Sequence, residues 1–399
     1  MLQSRIVYIL ILSLVTSVTG RAQSRAGNYG FILLDAKALQ DVNRNYHKGD
    51  AATVKQVNML ICQADTLLNA GPYSVTFDKT KLAPSNNKHD YVSQAPYWWV
   101  DSSKADGKPY IRRDGKRNPE IYLLHDASQM VKMSSAVKKL ALAYYLTEKD
   151  AYAQKADQLL KTWFIDTATR MNPNLNYAQY VPGVNDGRGI GIIESVGLTQ
   201  VPDAIALLQK SKISPTTIAG VKAWFAAYTD WLVNSKNGRQ ERKELNNHGT
   251  NYDLQVADFA LFTGNRALAV RMINEFTIPR IAQQFTADGR QPLELARTRA
   301  WDYSQMNLYA WIRLAHIAEG LGIDLWHKQT ADGKGIESAL GFLLPYATKQ
   351  KPWTYPEIGK FEYGNLRRMV HMAAGKYPKL DTKQFYNTFP DTTPLFYLN

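Results

Sequence analysis

The sequence predicts an all-α chain of repeated helical hairpins, on three observations. Residues 127–164 place apolar side chains at three- and four-residue spacing on both sides of a break at Thr147–Asp150. Residues 252–276 repeat that plan, an apolar helix, a Thr-led turn and an Ala-rich helix; residues 308–326 and the helix after them begin a third copy. No comparable series of alternating strand patterns occurs. Hairpins that recur in this way stack as a solenoid or close into a ring, because each buries its apolar face against the next. A chain of 399 residues has room for one large domain or two to three ordinary ones. No Gly/Ser/Pro linker divides this one, so a single domain with no appended β-sandwich is expected.

In chain order, residues 1–22 come first. Arg5 precedes an apolar run from Ile6 to Val18, and Gly20-Arg21-Ala22 has the form of a small-x-small cleavage site. This predicts a removed export leader, since the run is too short to span a bilayer comfortably. The leader carries Arg5 and Arg21 and no acid, so its removal lowers the net charge from +13 to +11. The mature chain, 23–399, is expected to be exported, periplasmic or secreted, with no later segment long and apolar enough to cross a membrane. Cys62 is the single cysteine, which excludes a disulfide framework and a cysteine zinc site. It lies in an apolar helical stretch and is expected to be a small buried hydrophobe. Between the helices run polar, aromatic loops at 84–120, 171–191, 240–251 and 286–304, where long loops usually carry function.

Basic charge combined with 23 Tyr and 9 Trp suits a polyanion. Export favours an acidic polysaccharide over nucleic acid. Walker A, HExxH and GxSxG are absent, and Gly187–Gly191 lacks the spacing and the preceding strand of a dinucleotide loop. The seven histidines show no metal-ligand spacing. No cofactor or metal is expected.

Three clusters stand out. In NNHGTNYDLQ (246–255), Asn or Thr could simply cap a helix, but Asn247 and His248 together can also hold an anionic group. In 288–311, Arg297, Arg299, Asp302 and Tyr303 interleave with Trp301; a salt-bridged solvated face, with Glu294 pairing one arginine, is the plainer alternative. Tyr97-Trp98-Trp99 lies near Arg112-Arg113, and aromatic faces stack on sugars while Arg forks bind carboxylates. Asn, His, Arg and Tyr without metal or nucleotide suit β-elimination of a uronate. Removing H5 builds charge on the C5 carboxylate, which amide, imidazole and guanidinium groups can stabilise. A phenol lowered by nearby cations can take the proton and return it to O4.

The strings APYWWVDSSKADGKPYIRRDGKRNPE, NLNYAQYVPGVNDGRGIGIIES, NNHGTNYDLQVADFALFTGN and RQPLELARTRAWDYSQMNL, in this order, resemble the alginate lyase superfamily. The likeness is to polysaccharide lyase family 38, related to family 5, over roughly residues 50–375. It implies an (α/α) toroid and a catalytic set of Asn247, His248, Arg297 and Tyr303. Asn247 and Arg297 would neutralise the carboxylate and Tyr303 would shuttle the proton. His248 would either neutralise or act as an alternative base. Sugar contacts are implied at Tyr97, Trp98, Trp99, Arg113, His125, Gln179, Tyr180, Arg188, Tyr252 and Arg299.

In β-D-mannuronate and β-D-glucuronate, H5 and O4 share a face of the ring, so one Tyr can serve both. Guluronate needs a second group, such as His248. The expectation is therefore a monomeric lyase for mannuronate-rich alginate or a glucuronan. Two rivals are a non-catalytic glycan binder on the same toroid and a ring-fold glycoside hydrolase. The hydrolase needs a carboxylate pair, which Glu294, Asp302, Asp186 and Glu194 do not form convincingly by spacing.

Overall fold

Polar caps mark where the helices begin. The computed structural model describes residues 30–390; the leader expected at 1–22 lies outside them. Asp35 accepts from the first free amides of α1 (Ala36–His47), and Asp50 does the same for α2 (Ala51–Leu68). Four short strands follow the loops: β1 (Val92–Gln94), β2 (Trp98–Trp99), β3 (Ile111–Arg112) and, further on, β4 (Tyr177–Tyr180). α3 (Asp126–Thr147) and α4 (Asp150–Phe164) are the first expected hairpin, turned at Glu148 in the left-handed region (φ 56). Then come α5 (Val201–Leu207), α6 (Pro215–Asn234), α7 (Lys236–Arg242), α8 (Asn247–Phe262), α9 (Arg266–Arg271) and α10 (Ile278–Gln284). The last helices are α11 (Pro292–Leu295), α12 (Ala300–Gly320), α13 (Ile336–Ala347), α14 (Gly364–Met372) and α15 (Lys383–Thr388). The hairpins build the expected (α/α) toroid around one hydrophobic cluster that reaches from Leu39 to Phe385.

Burial separates inner from outer helices. α8 buries every residue except His248 and Leu261, and α3 and α12 are also buried round most of their circumference. α1 and α14 bury only a stripe, as outer helices do. Polar groups on an inner helix must find partners. Asp253 takes a two-pronged bond from Arg280 (2.7 and 3.1 Å), and Gln255 accepts from Ser195 (2.6 Å).

Several expectations change. The loops are shorter than the sequence suggests: α8 begins at Asn247, α12 at Ala300, and residues 189–200 wind as a 3-10 helix. Parallel pairing of β1 with β4 ties the 84–120 loop to the 171–191 loop, with Gln94 opposite Tyr180. Cys62 is exposed, because the buried stripe of α2 runs through Val57, Leu60 and Ala64 on another face. One later stretch, Gly189–Leu207, does have the length and apolarity of a span, contrary to expectation. It is 67% buried inside the fold, where it packs as part of the core.

Candidate active site

Asn246 caps α8, its side chain accepting from the His248 amide. Asn247 and His248 therefore stand in the first turn of the helix. Asn247 is fully buried. Its backbone N–H donates to Glu294 Oε1 (2.6 Å) and its Nδ2 to Glu294 Oε2 (2.8 Å). Both carboxylate oxygens thus grip one residue and set the direction of its amide. Burial raises the Glu294 carboxyl, and the Asn247 donors, Arg297 and His248 oppose that. Glu294 is therefore a partner of Asn247, and the alternative of a solvated face that pairs it with an arginine does not hold.

His248 is the side chain of the first turn that reaches out. Its Nδ1 lies 2.8 Å from Oε1 of the fully buried Glu241. A carboxylate there fixes the tautomer with the proton on Nδ1 and leaves Nε2 as the open nitrogen. Gly249 is required next to it. A Cβ at this position would lie 2.1 Å from the Glu244 carbonyl and 2.3 Å from Arg280 Nη1. Gly249→Ala should therefore cost about 1–3 kcal/mol by overpacking. Thermal denaturation checks this; an unchanged midpoint would refute the tight fit.

The other half of the cluster comes from 297–303. Arg297 Nη2 donates to Tyr303 Oη (2.9 Å), and its guanidinium lies 3.8 Å from the centre of the Tyr303 ring. Arg297 also makes a two-pronged pair with Asp114 (3.0 and 2.8 Å). The Tyr97 hydroxyl meets Tyr303 Oη at 2.7 Å. The expected lowering of the Tyr303 phenol is not found. Burial raises it, the Tyr97 hydroxyl adds to that, and Arg297 opposes them without prevailing. Gly115 (φ +71) lets the Asp114 loop close here, since a Cβ would sit 2.3 Å from Thr298 Oγ1.

Burial would raise the Asp114 carboxyl, but Arg297, the Thr298 amide and Arg112 outweigh it and hold it at about 2. A group depressed on folding stabilises fully above its ordinary value, here 3.8, and loses that contribution as pH falls through its folded value. Asp114→Asn should flatten the loss of stability between those two values. Acid unfolding followed by circular dichroism tests this, and superimposable acid limbs would refute it.

The expected sugar contacts divide. Tyr97 touches the cluster directly. Trp98 and Trp99 pair with Arg112 and Ile111 in the β2–β3 ribbon; Arg188 lies over Trp98 and exposed Arg113 over Trp99. Arg188 donates to the Gln179 carbonyl (3.2 Å) and to its Oε1 (3.0 Å); burial and Arg112 lower it, and Glu194 and Glu241, the partner of His248, oppose that. Gln179 is itself buried, so it steadies Arg188. Tyr180 bonds Gln94 and carries Lys81 on its ring, beside the same ribbon.

One expected contact is corrected, and two stand apart from the four-residue cluster. Tyr252 is 1% exposed, its hydroxyl donating to the Leu232 carbonyl; it is core. Arg299 pairs with Asp302. His125 precedes α3 beside the Lys79–Asp126 pair, with no hydrogen bond to the four-residue cluster. Three of the four candidate hydrolase acids are otherwise engaged: Glu194 bonds Tyr91 and Ser93, Glu294 bonds Asn247, and Asp302 bonds Arg299. Sequence reading missed Glu241 and Asp114 altogether. Asp114 lies 183 residues from its partner, a separation that leaves no local signal.

A family model described as alginate lyase matches residues 74–353. The structure is similar to that of an alginate lyase from Bacteroides ovatus, with 38% identity and a TM-score of 0.87, covering 92% of this chain and 98% of that one. It also resembles alginate lyase A1-III from Sphingomonas species A1 in fold, at 14% identity and a TM-score of 0.50 over 81% of this chain and 88% of that one. A variant of A1-III complexed with tetrasaccharide matches at 15% identity and a TM-score of 0.50, over 79% of this chain and 85% of that one. No curated protein sequence shows significant similarity to the chain.

Proposed function

The chain belongs to the alginate lyase family and is a polysaccharide lyase, and on that premise we propose that it cleaves mannuronate-rich alginate or a glucuronan by syn β-elimination at the cluster of Asn247, His248, Arg297 and Tyr303. The contact of Arg297 with Tyr303 Oη carries the reading. It sets a carboxylate-binding fork beside the only phenol of the cluster that such a fork can steady as an anion.

In this reading Tyr303 as phenolate takes the C5 proton. The electron pair left behind spreads into the C5 carboxylate, where Asn247, Arg297 and His248 stabilise it. The pair then forms the C4–C5 double bond as the C4–O4 bond breaks, and the Tyr303 phenol returns its proton to O4. Glu294 and Glu241 orient Asn247 and His248 and so act as positioning residues. The polymer lies along Tyr97, the Trp98–Trp99 ribbon, Tyr180 and Arg188.

One observation favours a second reading. The Tyr303 phenol is raised, while His248 Nε2 has no hydrogen-bond partner among the described residues. His248 as base and Tyr303 as acid would act from opposite faces and suit guluronate. A panel of polymannuronate, polyguluronate and glucuronan, followed by the ultraviolet absorbance of the unsaturated uronate, separates the two. Activity on polymannuronate or glucuronan is expected. Activity confined to polyguluronate would sink the syn reading, and reducing ends without absorbance would mean a hydrolase.

The same reading takes 1–22 as a cleaved leader and the lyase, 23–399, as an exported monomer. Mass spectrometry and light scattering on the exported protein test it; an intact leader or a stable oligomer would refute it.

A further inference from the structure

A second cavity, of about 450 Å³, lies toward the other end of the inner helices. Arg313, on its wall, is ten residues beyond Tyr303, about 15 Å along α12 at the rise of an α-helix. Lys138 of α3, Asp203 of α5, His316 and Tyr309 of α12, and Trp326 share that wall. The size is that of a small-molecule pocket.

The wall carries carboxylates as well as cations, but among the described residues none of them pairs with Lys138 or Arg313. Lys138 makes no hydrogen bond or ion pair among the described residues. Arg313 spends one of its N–H groups on Thr199 Oγ1 (2.5 Å) and rests 5.5 Å from the Tyr309 ring centre. The acids nearby are already satisfied. Asp203 accepts the backbone N–H groups of Ile32, Leu33 and Leu34 at 2.7–2.8 Å. Glu319 holds Lys376 (2.7 Å) and Trp326 Nε1 (3.0 Å). Asp258, fully buried on α8, has no partner on either oxygen, and burial pushes it well above the ordinary carboxylate range. It makes no ion pair with Arg313. Lys138 and Arg313 thus share one cavity wall with no carboxylate paired to either, an arrangement that a bound anion would stabilise.

We propose that this cavity is a second anion site, which takes the carboxylate of a short oligouronate between Lys138 and Arg313 and seats its sugar ring against Tyr309 and Trp326. The anion site stands on the cavity alone; the uronate as occupant rests on the reaction proposed above, whose products are short oligouronates. Inorganic phosphate shares the oxyanion chemistry, but it is far smaller than the space and has no use for aromatic walls.

Burial, with Arg313, Arg368 and Lys139 against Asp203, lowers Lys138 to about 7. His316 and His371 also line the cavity, and burial lowers both. A bound anion should therefore draw a proton onto Lys138 at mildly alkaline pH.

Calorimetry of the full mature chain with dimannuronate, mannobiose or inorganic phosphate, in two buffers of different ionisation heat, tests this. Dimannuronate should fill two sites, one of them with proton uptake, and mannobiose should not fill that one. Lys138→Met and Arg313→Gln should each weaken that site by about tenfold or more while alginate is cleaved at the wild-type rate, and Lys138→Arg should retain it. A single dimannuronate site in the wild type, or two sites indifferent to all three substitutions, would overturn the proposal. Phosphate binding without dimannuronate binding would overturn the uronate as occupant. A wild-type chain that binds dimannuronate here but leaves alginate intact would sink the proposed reaction and not this site.

Discussion

Tyr303→Phe is expected to lower kcat on polymannuronate about a hundred- to ten-thousandfold, the range in which a positioned proton-transfer group acts. The ring stays, so its packing against the Arg297 guanidinium survives and polymer binding should change little. The hydroxyl goes, and with it the hydrogen bonds to both Tyr97 and Arg297. The pH profile carries the sharper test. Burial places the Tyr303 phenol above its ordinary 10.0, so the base form gains population as pH rises. If the phenolate is the base, kcat/KM should keep climbing well into the alkaline range. A profile flat from neutrality upward would assign the base to another group, and substantial activity in the Phe variant would remove Tyr303 from proton transfer altogether.

Arg297→Gln should lower kcat about a hundred- to a thousandfold, as loss of a preorganised donor to developing charge does. The effect should fall on kcat more than on KM, because the carboxylate charge grows toward the transition state. The substitution also takes the two-pronged partner from Asp114 and leaves it Arg112 and Thr298, so a fall in activity alone would not separate chemistry from folding. Adding Asp114→Asn removes that less compensated charge. The double variant should regain stability in thermal denaturation and none of the activity. Recovery of turnover in the double variant would mean that Arg297 serves only to neutralise Asp114.

The hairpin plan was legible because helical periodicity is a local property. Apolar residues at three- and four-residue spacing in 127–164 mark α3 and α4 whatever they pack against. The same logic fails one level up. Sequence spacing could not separate the inner face of α2 from Cys62, since an apolar stretch does not announce which of its faces meets the next helix. Nor could it tell a sugar-facing Tyr252 from one bonded to Leu232 inside the core.

For the site, the sequence by itself determined the chemical types. Asn247-His248, Arg297 and Tyr303 stand in two short strings whose composition points to an anion and a proton transfer. Only the tertiary structure decided how those groups are held. Glu241, Glu294, Asp114 and Tyr97 reach them from 7, 47, 183 and 206 residues away in the chain. It also reversed the expected direction at Tyr303, whose phenol is raised where neighbouring cations alone would lower it. The reason is physical. Charge and hydrogen-bonding capacity belong to a side chain, whereas burial, tautomer and proton affinity belong to its surroundings, and those are assembled by closing loops that local pattern does not record.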